Sequence, residues 1–237
     1  MIISIIQPCF VPWLGYFEQI ALADIFVYMD DVQYTKKDWR NNNQLKSQYG
    51  VKGISFPVNK APIGTLIQDM TIATHLDWRS NLFNQLYNWY KNAPYYQEVI
   101  TLISKVLNTE YTRLCDLNYH LNNAILQYLQ INTKIVFSSD IPRNSDNKID
   151  RIAEICTHFD GVTTLFDGKK AQNFLNADSF SAHGVNVQFQ DYQHRPYPQL
   201  WGEFVPYMSI IDLLMNCGKD AMAYIVTSSI VDTGAKK

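Results

Sequence analysis

Apolar and polar positions along the chain follow two different periods, and each change of period marks an element. Ile2, Ile3, Ile5 and Ile6 form a β-branched run that stops at Gln7-Pro8. This is the mark of a buried strand, because proline cannot continue a central ladder. Residues 13–21 then space their apolar side chains by three and four behind Pro12, a residue suited to a first helical turn. Asp24 precedes a second apolar run, 25–29, which ends in Asp30-Asp31. Strand, loop, helix, strand is the simplest reading. Residues 32–46 are polar, basic and aromatic together and follow neither period, so a functional loop with short strand pieces is expected, a solvated connection being the alternative.

Residues 54–58 and 67–72 read as two more strands, the first broken by Pro57, with Gly64 turning between them. Large apolar residues recur at helical spacing over 76–90, 95–107 and 112–128, interrupted at Asn92-Ala93-Pro94. Strand character returns at 134–139, ending in Ser138 and Ser139. A helix at 150–159 ended by Gly161, a strand at 162–166 leading into Asp167-Gly168-Lys169-Lys170, and an alternating strand at 185–189 follow. Residues 191–203 form an aromatic, proline-rich loop. The last helix, 209–216, has Ser209 as N-cap and Asp212 at the third helical position, a capping box with Asp in place of Glu or Gln, and Gly218 closes it. The pattern predicts an α/β fold with a mostly parallel central sheet flanked by helices. Residues 1–226 make one domain carrying 75–130 as an inserted helical block, and 227–237 are a small, polar tail expected to fray.

Hydrophobic residues make up 47% of the 237 and charged residues 18%, enough apolar surface for a globular chain throughout. The formal charge of −2 comes from interspersed acids and bases with no basic stripe, which argues against extended nucleic-acid binding and leaves a small anionic ligand open. Residues 1–6 are too short for a signal peptide and no stretch approaches the roughly 20 apolar residues of a membrane span, so a cytoplasmic protein is expected. Cys9, Cys115, Cys156 and Cys217 are scattered without CxxC pairing and read as reduced thiols. The five histidines lack metal-ligand spacing, and no metal is expected. Walker A, GxGxxG, GxSxG and HExxH motifs are all absent.

Two segments carry a family resemblance. The first runs from Gln7-Pro8-Cys9-Phe10-Val11-Pro12-Trp13-Leu14-Gly15-Tyr16-Phe17 through Ala23-Asp24-Ile25-Phe26-Val27 to Val32-Gln33-Tyr34. The second is His194-Arg195-Pro196-Tyr197-Pro198-Gln199, followed by Phe204, Pro206 and Ser209 to Leu214. In order and separation they resemble the WbqC-like protein family over nearly the whole chain. That resemblance implies a role in bacterial O-antigen, lipopolysaccharide or related surface polysaccharide assembly, and an acyl or aminoacyl transfer, glycyl among the options, to the amine of a nucleotide-linked amino sugar. The sequence departs from the family pattern at Asn42, where an arginine commonly lies between two asparagines, and Cys9 falls at a variable position. The opening strand, proline-rich turn, helix and strand are also similar to those of Rossmann-like nucleotidyltransferases of the HIGH-motif type and of pantoate ligases, whose signature histidines are missing here.

Ligands of open α/β sheets gather beyond the carboxyl ends of the strands, which draws attention to Gln7 and Asp30 if their strands are parallel neighbours. Asp30 is the candidate catalytic carboxylate, and Gln7 is either a ligand amide or a turn cap. His194 has the near-neutral pKa of a general base for a sugar ammonium, the alternative being a loop histidine bonded to backbone. Lys36 and Arg40 offer charge for a diphosphate or carboxylate, and Asn41 and Asn43 suit hydroxyl or amide recognition, with a solvated basic loop and turn formation as the plain alternatives. Tyr16, Gln33, Tyr197 and Gln199 complete the candidate substrate contacts. No cofactor is implied beyond an activated acyl or aminoacyl donor. A non-catalytic nucleotide-sugar binding protein and an ATP-dependent ligase are the competing classes.

Overall fold

A computed structural model describes residues 1–175, 180–228 and 230. Its centre is a five-stranded parallel sheet built from β1 (Ile2–Ile6), β2 (Ile25–Tyr28), β5 (Lys134–Phe137), β6 (Thr164–Asp167) and β7 (Asn186–Phe189), in the order β5-β2-β1-β6-β7. Chain order therefore runs outward from β1 in one direction and then reverses between β1 and β6, the topology of a doubly wound sheet. β1 and β2 are parallel neighbours, with Ile3 beside Ile25 and Ile6 beside Tyr28, so Gln7 and Asp30 both follow carboxyl ends of adjacent central strands.

The two faces of the sheet carry separate cores because strand side chains alternate. Phe26 and Tyr28 of β2 pack with Phe17 and Ile20 of α1 (Leu14–Leu22) and with Leu117, Leu121 and Ile125 of α4 (Leu114–Tyr128). Ile25, Val27 and Met29 pack instead with Ile152 and Ile155 of α5 (Lys148–His158). α2 (Trp78–Tyr90) and α3 (Tyr96–Leu107) join the α1 side, as do the antiparallel hairpin of β3 (Asn42–Ser47) and β4 (Gly50–Ser55) and helix α6 (Ile210–Cys217). One continuous core thus ties the helical block to the sheet. A short α7 (Met222–Ile225) is the last helix among the described residues.

Three expectations change. Residues 67–72 are not a strand: Ile67–Asp69 is a 3-10 turn, because the neighbouring backbone offers only single bridges, Gln33 to Leu66, Val58 to Ile72 and Thr71 to Arg113, and no continuous ladder. The strand expected over 54–58 lies earlier, at Gly50–Ser55, because its register is set by the hairpin with β3, which begins at the Ser47–Gly50 pair where Gly50 has φ 84°. Thr227 and Ser228, placed in the fraying tail, give their backbone N–H groups to the buried carboxylate of Glu18, both at 2.6 Å. Residue 229 and residues 231–237 of that tail lie outside the described residues. All four cysteines are buried free thiols. No helix among the described residues is long and apolar enough to cross a membrane.

Candidate functional site

The carboxyl edge of β2 and β5 carries the first polar cluster. The carboxylate of Asp30 accepts from the backbone N–H of Ser139 (3.0 Å) and from its hydroxyl (2.9 Å), and the Ser138 hydroxyl bridges Asp30 and Asp31. Burial pushes the Asp30 carboxyl above its ordinary range, while the serine hydrogen bonds pull it back. Asp31 meets the Nε of Arg151 at 2.9 Å, and the rest of that guanidinium donates to the carbonyls of Ser138, Ile141 and Pro142. Arg151 is 1% exposed, so a charge in the core is held by a paired carboxylate and by three carbonyl acceptors.

The turn after β1 is the second cluster. Gln7 is half-buried, and its backbone carbonyl accepts from the Tyr16 hydroxyl at 3.0 Å. Val11 has φ 36°, a sparsely populated conformation for a β-branched residue. Its carbonyl is fixed from two sides, by the Asn43 amide at 2.9 Å and the Ser209 hydroxyl at 2.6 Å. Structure that over-determines a strained turn in this way keeps it in one shape. Asn43 also donates to Phe10, while the Asn41 amide spans the Tyr34 hydroxyl and the Phe56 carbonyl. Arg40 places one nitrogen on the Cys9 sulfur at 2.7 Å and another on Asp38 at 3.3 Å. These three polar side chains therefore act within the chain and hold its turns together. Burial raises the Cys9 thiol above its ordinary range against the pull of Arg40, which disfavours a nucleophilic thiolate.

The late block docks on the early one through aromatic rings. His194 lies against Trp13 (5.4 Å between centroids), Tyr192 (4.9 Å) and Tyr207 (4.0 Å). Burial lowers its pKa, keeping the imidazole neutral, and its Nε2 is enclosed without a hydrogen-bond partner among the described residues. None of these three rings belongs to the Asp30 cluster, whose hydrogen-bonding side chains are those of Ser138 and Ser139. Tyr197 and Gln199 turn inward: the Tyr197 hydroxyl and the Gln199 amide reach Asp212 at 2.6 and 2.8 Å, and Tyr90 reaches it at 2.5 Å. Asp212 thus anchors the 191–209 loop as well as standing in the first turn of α6. Only Ser209 performs the expected cap, accepting from Ile211 at 3.3 Å. Nothing local in the sequence marks Asp212 for this role, since its three partners come from other elements.

A groove of about 570 Å³ opens beside the β2 edge. One wall is formed by Gln33 to Lys36 and another by 58–63, with Thr65 and Met70 also in the lining. Three backbone hydrogen bonds knit the first wall to 65–68 and so to Asp30: Gln68 to Asp30, Ile67 to Val32 and Tyr34 to Thr65, each 2.9 Å. Of the candidate contacts, Gln33 and Lys36 line the groove. A candidate that the sequence reading passed over is Asp167, at the end of β6 where the strand order reverses. Burial raises its carboxyl to about 6, against the pull of the Gly168 N–H and of Lys148. An acid closing a predicted strand ahead of Gly-Lys-Lys was the signal for it. Among the described residues no group of three metal-ligating side chains comes together.

The sequence pattern of the WbqC-like protein family matches residues 7–224. A protein of Mycobacterium tuberculosis (strain ATCC 25618 / H37Rv), "Uncharacterized protein Rv1507c", is 35% identical over 226 residues, which cover 94% of this chain and 96% of that one. No solved structure matches the chain.

Proposed function

Because the chain belongs to the WbqC-like protein family, we propose that it is a cytoplasmic transferase of bacterial surface polysaccharide assembly, placing an acyl or aminoacyl group on the amine of a nucleotide-linked amino sugar. The groove carries this reading: its volume falls within the roughly 300–1,000 Å³ of small-molecule sites, and it adjoins the carboxyl edge of a doubly wound sheet. Attack by an amine requires the neutral amine; His194, whose pKa burial lowers, serves as the base once its Trp13, Tyr192 and Tyr207 enclosure opens, since its ring is not among the residues that line the groove. Gln7 orients the acceptor, and Asp30 keeps the β2–β5 edge in place through Ser138 and Ser139.

A second reading, a protein that binds a nucleotide sugar without changing it, is favoured by the engagement of both carboxylate oxygens of Asp30 and by the enclosure of His194 Nε2. Calorimetry of nucleotide amino sugars, with mass analysis of mixtures containing acyl donors, separates the two. Tight binding with no product under any donor supports the second. Under the first, His194→Ala lowers turnover by at least roughly 100-fold at unchanged fold, as removal of a general base does. Near-normal turnover in that variant removes His194 from the mechanism.

A further inference from the structure

We propose that the groove between 33–36 and 58–63 is a diphosphate subsite, with Lys36 and Lys60 gripping the phosphates from opposite walls. Lys60 and its wall have no counterpart among the residues picked from sequence. The chain as a whole is slightly acidic, yet no Asp or Glu lines the groove, so its local sign is opposite to that of the molecule. Among the described residues neither lysine forms an ion pair, and both side chains are exposed. Two free ammonium groups beside Gln33 and Asn59 present donors on flexible stems, which suits phosphate oxygens spread over two groups.

The walls are set before any ligand arrives. Gly64, with φ 93°, and the two hydrogen bonds from Thr65 to the Pro62 carbonyl (3.3 and 2.9 Å) fix the turn of the far wall. Asn59 is tied to Thr71 and Ile72 by its amide. Pre-set walls spare a ligand the cost of ordering a loop. The apolar part of the lining includes the buried Met70 and Ile63, 93% exposed, and gives a base or sugar ring a face to rest on. A nucleoside diphosphate therefore fits better than inorganic phosphate. The proposal rests on the transferase reading for its choice of ligand, but its test does not.

Calorimetric titration of the full chain with inorganic pyrophosphate and with UDP decides it. Saturable binding of both is expected, tighter for UDP, and weakened about tenfold or more in Lys36→Glu and in Lys60→Glu, since each reversal replaces an attraction with a repulsion. Lys169→Glu, an exposed lysine outside the groove, serves as the control and leaves binding unchanged. Absence of saturable binding, or equal binding in all three variants, overturns the subsite. Binding that depends on Lys36 and Lys60 without any transfer sinks the transferase reading alone. Transfer with an unchanged KM in Lys36→Glu and Lys60→Glu sinks the subsite alone.

Discussion

The Tyr197 hydroxyl donates to the Asp212 carboxylate at 2.6 Å, and both side chains are buried. The same carboxylate takes Tyr90 of α2 and Gln199 of the late loop, so one acid joins three elements. Asp212→Leu leaves two phenols in the core without their acceptor, while the Gln199 amide keeps its bond to the Val205 carbonyl. A loss of about 2–4 kcal/mol of unfolding free energy is expected, against about 1–2 kcal/mol for Tyr90→Phe, which removes one donor to Asp212 and the acceptor of the Lys46 N–H. Urea denaturation of the three proteins checks the ordering, and equal losses would show that the network does not hold the loop.

Arg151 and Asp31 form the other buried charged centre. Among the described residues Arg151→Met leaves the buried Asp31 carboxylate with only the Ser138 hydroxyl and the more distant Arg143 guanidinium at 3.6 Å, and is expected to cost about 3–5 kcal/mol. Asp31→Leu combined with Arg151→Met removes both charges and is expected to cost less than the sum of the two single losses. Additive losses in a double-mutant cycle would refute the pairing.

Asp167 makes stability depend on pH. Its carboxyl is raised from 3.8 to about 6, so the folded protein holds this proton more tightly than the unfolded chain does. The contribution is complete below pH 3.8 and is lost as pH rises to about 6. Asp167→Asn is therefore expected to be more stable than the parent protein above that window, by about 1–3 kcal/mol, and indistinguishable from it below. Thermal unfolding of both proteins across pH measures this, and a constant difference would contradict it.

Gly218 ends α6 with φ 55° and ψ −130°, and a Cβ there would lie 2.3 Å from the ring of Tyr95. Gly218→Ala combines backbone strain with overpacking and is expected to cost about 2–4 kcal/mol. Circular dichroism melts of this variant and of a Gly218→Ala, Tyr95→Ala double variant separate the two causes, since the second relieves only the clash.

Much of the element order was readable locally. Pro8 ends β1, Pro12 precedes α1, and Ser209 caps α6 because each effect operates within a few residues of its cause. The 67–72 run misled because its alternation satisfies a strand only when a partner ladder exists, and here the chain supplies single bridges. Candidate contacts divided for a similar reason. Gln33 and Lys36 reach a groove, whereas Asn41, Asn43, Tyr197 and Gln199 have their polar atoms taken by groups distant in sequence.

By itself the sequence determined the periods of the chain, its stops and caps, and the family signature of its two ends. Only the tertiary structure decided the β5-β2-β1-β6-β7 order, the burial of Asp212 with Tyr90 and Tyr197, and the gathering of Lys36 and Lys60 in the lining of one groove. Periodicity is a property of neighbours along the backbone, while pairing and burial are settled by which distant surfaces exclude water together.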